Sequence, residues 1–231
     1  MHKKRGYNRE TPNHLVRDYT LFAIACEGSE REANYFKMFE HMSNKVVVDI
    51  IEDDTGNIRR SAPNWLLDRA AKYIDKEQLL DTDRLWFVMD VDRWNAEQIR
   101  KIAEYCNQYP NWNIAISNPC FEIWLCYHIK SDLSRCEAKT SQEIKAYLGD
   151  IVPGGYNKHK FIKHVREAIK NAEAKDSNPN HFMPKVKETK VYQLAEAALL
   201  LIGINRFNIF IEQTLPKLIK NENRRRYCPD Y

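Results

Sequence analysis

Four apolar runs of strand length divide the first half of the chain: residues 19–26, 46–51, 84–89 and 111–116. Runs that are apolar throughout are typical of strands buried on both faces of a parallel sheet. Between them, apolar residues recur at helical spacing, which predicts helices after Ser29, over 62–78 and over 94–109. Strand and helix therefore alternate, and the chain predicts an α/β fold with a four-stranded, mostly parallel sheet flanked by helices.

The pattern changes after residue 130, where strand-like runs give way to helical periodicity. Helices are predicted near 142–148, over 158–174, near 188–202 and over 208–220. Three regions follow from this change. They are a loose polar arm at 1–18, an α/β core at 19–130, and a basic, mainly helical C-terminal module at 131–231 that packs on the core.

Charge is divided unevenly along the chain. Residues 1–130 carry 18 Lys and Arg against 20 Asp and Glu, whereas residues 131–231 carry 18 against 12. A stripe on the predicted helix 158–174 is a candidate nucleic-acid-binding surface and consists of Lys160, Lys163, Arg166 and Lys170. Ordinary solvated surface explains the same charges, so that alternative stays open.

The six cysteines indicate a reducing compartment, because they contain no Cys-x-x-Cys pair and no zinc-like cluster. Cys26, Cys120 and Cys126 lie in apolar stretches, as reduced core cysteines do, which predicts a cytoplasmic protein. No run of about 18 apolar residues exists, and no apolar segment follows the basic N-terminus. We therefore expect neither a membrane span nor a secretory signal.

Two aspartates end the third apolar run. Asp90 and Asp92 are separated by one valine, and residues two apart in an extended segment point to the same side. Their carboxylates would then project together at the carboxyl end of a buried strand, where open α/β sheets hold their ligands. Such close carboxylates repel each other unless a cation compensates, and hard oxygen ligands suit Mg²⁺ or Mn²⁺. The plainer alternative is a polar turn in which Asp92 caps the next helix.

Glu27 is a third acid of this kind, because it directly follows the first apolar run. If the first and third strands are neighbours, it emerges at the same edge as Asp90 and Asp92. Three carboxylates there can hold divalent ions that stabilise charge on a phosphoryl group. Glu27 can instead serve as a general base or acid, or as a turn residue. Ser29 and Glu32 match a capping box and are predicted to cap the first helix.

An almost wholly apolar helix is predicted at 120–129, and it contains two ionisable residues. Glu122 in such a helix indicates either a satisfied core carboxylate or a member of the site. His128 faces another side of the helix, and we interpret it as a packed, hydrogen-bonded core histidine. Before this helix, Asn118 suits the capping position and Pro119 the first helical position.

Three stretches resemble the RloB-like family of phage-defence proteins: CEGSEREANYF, FVMDVDRW and SNPCFEIWLCYH, at 26–36, 87–94 and 117–128. Weaker matches lie at 155–161 and 188–199. The units strand–Glu-Gly and strand–Asp-x-Asp are also similar to the Toprim fold of topoisomerases, primases and OLD-type nucleases. The SNPCFEIWL block is long and unusual, which makes the resemblance fairly specific.

The resemblance implies a Toprim-like core and a metal-dependent nuclease that cleaves RNA, such as tRNA, or DNA. It implies an effector of anti-phage defence by abortive infection, working beside an ATPase of the ABC/AAA type. Glu27 then carries over as the Toprim glutamate, with Asp90 and Asp92 as ligands of Mg²⁺ or Mn²⁺ and Glu122 as a further candidate catalytic residue. The oligomeric state stays open, with a homodimer among the alternatives.

The resemblance also concerns three basic residues outside the acidic positions. Lys158 and Lys160 match the family's lysine-bearing segment and are candidates for binding phosphates. Relatives often have threonine where this chain has Arg31, which we interpret as an exposed helix position that need not affect chemistry.

Other functional classes explain part of the pattern. Glycosyltransferases and HAD phosphatases also place an Asp-x-Asp after an apolar strand. Trp94 stands where the phosphatase motif requires Thr or Val, and no nucleotide-sugar feature supports a transferase. A non-catalytic module that binds nucleic acid or the ATPase, with the acids merely lining a pocket, is the remaining alternative.

Overall fold

The four apolar runs form the four strands of one sheet in the computed structural model. The strands are β1 (Thr20–Cys26), β2 (Val46–Ile50), β3 (Arg84–Asp90) and β4 (Trp112–Ser117). They are parallel throughout, in the order β2-β1-β3-β4. The predicted α/β fold is confirmed, and β1 and β3 are neighbours, which is the condition under which Glu27 shares an edge with Asp90.

The structure describes residues 17–28, 30–51, 63–92 and 94–227. Most of the predicted arm at 1–18 lies outside the described residues, and so does Ser29, one half of the predicted capping box.

Helices cover both faces of the sheet. On one face, α2 (Pro63–Glu77) and α3 (Ala96–Cys106) share an apolar layer with alternate residues of β1 and β3. On the other face lie α1 (Arg31–Phe36), which continues into a 3-10 turn over Lys37–His41, and α4 (Glu122–Tyr127).

The C-terminal helices join this second layer. They are α5 (Ser141–Ile151), α6 (Lys158–Ile162), α7 (Val165–Glu173), α8 (Val191–Ile202), α9 (Ile204–Ile209), a π-helical turn (Phe210–Thr214) and α10 (Leu215–Tyr227). Their buried apolar residues belong to the same cluster as those of α1 and α4, so the C-terminal module packs on the core as expected.

The alternation of side chains along β3 decides which layer its last residue joins. Trp86 and Val88 face the layer of α1 and α4, whereas Phe87 and Met89 face the layer of α2 and α3. Because alternation continues to the end of a strand, Asp90 projects toward the side covered by α1 and α4.

Three local predictions are wrong. The helix predicted over 158–174 is two helices, α6 and α7, with a break at Lys163 and His164. α4 begins at Glu122 after a cis Asn118–Pro119 bond, so Pro119 is not its first residue, and the Asn118 side chain donates to the Pro184 carbonyl (2.9 Å) instead of capping. The third concerns Glu32: the N-cap of α1 is Glu30, whose side chain makes no capping hydrogen bond.

A buried ion pair ties the C-terminal segment before α8 to the rest of the fold. Both carboxylate oxygens of Asp176 accept from the Lys190 ammonium at 2.6 Å, and the two side chains are at most 1% exposed. The Tyr192 hydroxyl also donates to Asp176 (2.8 Å). Every strong donor here has an acceptor, which is what a buried charge requires.

No single helix in the described ranges is long and apolar enough to cross a bilayer. Val191–Ile202 and Ile204–Arg224 pass that test only as a pair, and they meet at a bend of 96°.

Candidate active site

Glu27 lies at the carboxyl edge of the sheet, directly after β1. Its backbone N–H donates to the Val88 carbonyl (2.9 Å), which continues the ladder between β1 and β3. Its carboxylate accepts two hydrogen bonds, from the Asp90 backbone N–H (3.1 Å) and from the Trp94 indole N–H (2.8 Å). Burial raises the pKa of Glu27, the two hydrogen bonds lower it, and the charges of Asp92 and Glu32 raise it. The structure therefore brings Glu27 to the Asp-x-Asp segment.

Asp90 is the residue on which the local charges converge. Burial raises its pKa well above the ordinary value, and the charges of Glu32, Glu27, Glu122 and Asp92 raise it further. These four charges all raise the pKa of Asp90, as expected for a carboxylate that has other carboxylates around it. We call the set the acidic centre, and it consists of Glu27, Glu32, Asp90, Asp92 and Glu122.

Asp92 joins this centre by a different route from the one predicted. β3 ends at Asp90, and Asp92 lies in an exposed turn, so strand alternation does not orient it. The turn is tied to the segment after β4, because Val91 N–H donates to the Ser117 carbonyl (3.0 Å) and Asp92 N–H to the Pro119 carbonyl (3.2 Å). These bonds keep Asp92 near enough to raise the pKa of Asp90 and of Glu27.

Glu122 reaches the centre from the first turn of α4 and is only 3% exposed. Its carboxylate forms an ion pair with the Arg31 guanidinium, which satisfies the buried charge. The first alternative stated for Glu122, a partnered buried carboxylate, is confirmed. Its charge also raises the pKa of Asp90, and its membership of the site stays a prediction.

Glu32 is a member of the centre that the sequence analysis assigned to a helix cap. The structure places its carboxylate against the Cα of Gly28, where a Cβ on residue 28 would overlap both carboxylate oxygens. The φ of Gly28 is not positive, so the glycine is needed for this close approach and not for a left-handed turn. Burial and the Glu122 charge raise the pKa of Glu32, and Arg31 and Lys145 lower it. The Glu-Gly dipeptide was the available signal, since a glycine admits a close neighbour.

Arg31 is an exposed position of α1, as interpreted, but its side chain makes contacts that the sequence did not predict. Besides pairing with Glu122, its guanidinium lies over the Tyr156 ring, 5.7 Å from the centroid. The Tyr156 hydroxyl donates to the Arg31 carbonyl at 3.4 Å. No local sequence pattern predicts these contacts, because Glu122 and Tyr156 lie far from Arg31 along the chain.

The donor set of the acidic centre fits a hard divalent cation in its chemistry, since it consists of carboxylate oxygens. The positions of these carboxylates, however, do not form a complete site for a cation. Among the residues that the structure describes, no three His, Cys, Asp or Glu side chains are arranged to hold one ion. The carboxylates are thus gathered at one edge of the sheet without closing around a common point.

The predicted nucleic-acid-binding residues lie on α6 and α7. Lys160, Lys163, Arg166 and Lys170 are exposed, whereas Lys158 pairs with Glu222 of α10 at 2.9 Å. No contact joins them to the acidic centre in the described part of the chain, and their role stays a prediction.

His128 is packed in the core, as interpreted from the sequence. It is 5% exposed, its Nδ1–H donates to the Trp124 carbonyl (2.9 Å), and its Nε2 accepts from the Tyr35 hydroxyl (2.9 Å). Burial lowers the pKa of His128 to about 3, so the ring is neutral at physiological pH.

Two cavities, of about 310 and 450 Å³, lie beside α3 and the segment containing His181 and Phe182. No residue of the acidic centre lines either cavity, so they do not extend the candidate site.

Comparison with known proteins gives a match to a protein family. A family model described as RloB-like protein matches residues 22–197 of the chain. The same comparisons found no significant match to a curated protein or to a solved structure.

Proposed function

This chain belongs to the RloB-like family, and we propose that it is a metal-dependent nuclease that hydrolyses phosphodiester bonds of RNA or DNA. Its core is proposed to be of the Toprim type. The single observation that carries this proposal is the convergence of carboxylates from β1, the end of β3, α1 and α4 around Asp90. Carboxylates that raise one another's pKa at the carboxyl edge of a parallel sheet indicate a site that accepts a cation.

In this proposal Glu27, Asp90 and Asp92 hold Mg²⁺ or Mn²⁺. Their carboxylates must turn toward a common point, which a bound cation favours because it relieves their mutual repulsion. The ion would supply positive charge that stabilises a reacting phosphoryl group.

The protein's own contribution is orientation and proton transfer. Trp94 and the Asp90 backbone hold the Glu27 carboxylate in place through the two hydrogen bonds that it accepts. Since burial raises the pKa of Glu27, it is our candidate for the general base or acid. Glu122 is proposed to act beside Asp90 while it keeps its ion pair with Arg31.

The biological setting is proposed from the family resemblance. We propose a cytoplasmic effector of anti-phage defence that an ATPase of the ABC/AAA type controls. The exposed basic residues of α6 and α7 would contact the nucleic acid, as their charge and spacing along the chain suggest.

Manganese binding is the first test. Excess Mn²⁺ should raise the unfolding temperature of the wild type, because a ligand at about 100 times its Kd stabilises the folded state by about 2.7 kcal/mol. Asp90→Ala should lose this shift and still unfold cooperatively. An equal shift in both proteins would place the metal elsewhere.

Substrate identity is the second test. The chain is expressed with and without its genomic neighbour, and the ends of cleaved RNA and DNA are sequenced. New ends that depend on Asp90 support the nuclease. If folded, metal-loaded protein yields no new ends under either condition, the nuclease proposal fails.

A second candidate function, a non-catalytic module that binds nucleic acid or the ATPase, has one observation in its favour. No three acids within the described ranges are arranged around one ion, and one of the buried acids already has Arg31 as its counter-charge. Binding of nucleic acid without Mn²⁺ binding and without cleavage would favour this module over the enzyme.

A further inference from the structure

Arg31 is a cation held at the edge of the acidic centre, and the mechanism above gives it no contact with substrate. Two neighbours fix its guanidinium. Glu122, buried on α4, accepts from its Nη1, and the Tyr156 ring lies along its face at 5.7 Å. Glu122 is buried, and the Tyr156 hydroxyl donates to the Arg31 carbonyl, so both partners are held in place.

Donors remain available on this guanidinium. It carries five N–H groups in a planar fork, and a carboxylate on one edge leaves the others for a second acceptor. The Arg31 side chain is 42% exposed, against 5% for that of Glu122. A guanidinium anchored on one side and open on the other is arranged to bind an anion.

The charge around it indicates which anion. Carboxylates alone would repel the phosphates of a nucleic acid, so a substrate that reaches Asp90 requires a cation beside the centre. Arg31 and Lys145 are near enough to lower the pKa of Glu32. Lys158, in contrast, has its charge satisfied by Glu222.

We propose that Arg31 binds a backbone phosphate of the nucleic-acid substrate beside the acidic centre, in an orientation set by Glu122 and Tyr156. The nature of the substrate rests on the proposed function. The contact itself does not depend on hydrolysis, and it is therefore measured apart from cleavage.

Binding is measured in EDTA with the full chain and a short fluorescein-labelled single-stranded RNA, and with the DNA of the same sequence. Arg31→Thr removes the guanidinium and leaves a small polar side chain. It should weaken binding of at least one probe by about tenfold, as loss of a charge-assisted hydrogen bond does. The slope of log K against log salt should become shallower by about 0.7, because one phosphate contact is lost.

Lys45→Thr is the matched control. Lys45 also pairs with a carboxylate, that of Asp18, and is half exposed, but it lies just before β2 at the opposite edge of the sheet. It removes the same charge and should leave both the affinity and the salt slope unchanged.

Arg31→Thr also leaves Glu122 buried without its partner, so a second variant separates binding from folding. Arg31→Thr combined with Glu122→Gln removes both charges and should bind as weakly as the single variant. Arg31→Lys keeps the charge without the fork and should recover only part of the affinity.

Three results overturn the proposal: wild-type affinity in Arg31→Thr, wild-type affinity in the double variant, and no wild-type binding to either probe. Absence of cleavage in a wild type that binds through Arg31 would instead reject the nuclease and keep the phosphate contact.

Discussion

Asp83 and Asp90 lie at opposite ends of β3, and their carboxylates have opposite surroundings. Asp83, at the amino edge, is 1% exposed. Its carboxylate accepts from the backbone N–H groups of Leu21 (2.8 Å) and Leu80 (2.7 Å), and it pairs with Arg17. Each oxygen of this buried charge therefore has a donor.

Asp90, at the carboxyl edge, is surrounded by acids. Its backbone N–H donates to Glu27, and four neighbouring carboxylates raise its pKa beyond the effect of burial. A buried charge with matched donors stabilises a fold, whereas like charges gathered together cost free energy and persist where function needs them. Asp83 is thus a satisfied structural charge, whereas the crowding of like charges at Asp90 is the feature on which the proposed site rests.

The largest expected effect is a loss of activity, without a loss of folding, at the carboxyl end of β3. Alanine at Glu27, Asp90 or Asp92 should lower nucleic-acid cleavage by about 10³-fold or more, because each change removes a proposed ligand of the metal. Cleavage rates are measured beside thermal unfolding, which should remain cooperative in all three. Full activity in a folded Asp90→Ala protein would reject the assignment.

The reverse result is expected at the amino edge. Asp83→Ala leaves Arg17 and two backbone N–H groups without their acceptor, which should lower the free energy of unfolding by about 3–5 kcal/mol. Urea denaturation measures the change. Asp132→Ala is the control, since it breaks only an exposed pair with Lys175 and should leave the free energy of unfolding nearly unchanged.

A smaller effect tests the crowding of charge at Asp90. Its pKa is higher in the folded state, so wild-type stability falls as pH rises from about 4 through that folded pKa. Asp90→Asn cannot ionise, and its free energy of unfolding should exceed that of the wild type by about 1–3 kcal/mol above this window.

Urea denaturation in EDTA across the pH range measures this difference. Added Mn²⁺ should narrow it, because the cation stabilises only the protein with the carboxylate. If Asp90→Asn is no more stable than the wild type at about pH 8, the neighbouring charges do not destabilise the ionised form of Asp90.

The smallest expected effect concerns Gly28. Gly28→Ala should push the Glu32 carboxylate away from its position, which lowers the pKa of Asp90 because Glu32 is the largest of the charges acting on it. The stability difference between Asp90→Asn and its parent should then level off at a lower pH.

Gly149→Ala is the control for this change. Gly149 lies in α5 with nothing within 4 Å of an added Cβ, so its substitution should leave that pH unchanged. An equal shift in both glycine variants would remove Glu32 from the explanation.

Periodicity predicted the elements whose length and burial are simple. The continuous apolar runs became β1 to β4 within one or two residues, because a strand buried on both faces admits little else. His128 was placed correctly for the same reason, since a lone histidine in an apolar helix packs with hydrogen-bonded neighbours.

Patterns with two meanings were decided by packing. Glu32 matches the end of a capping box in the sequence, but packing places its carboxylate against Gly28. The basic residues of 158–174 read as one stripe on one helix, but the break at Lys163 and His164 divides them between α6 and α7.

The sequence by itself determined the parallel α/β core and the positions of Glu27 and Asp90 at the carboxyl ends of two buried strands. These follow from periodicities of two and about 3.6 residues, which act over short distances along the chain. Only the tertiary structure decided that Arg31 pairs with Glu122, 91 residues away, and that Glu32 and Glu122 complete the acidic centre. Such meetings depend on how α1 and α4 pack over the end of β3, and no local pattern records that arrangement.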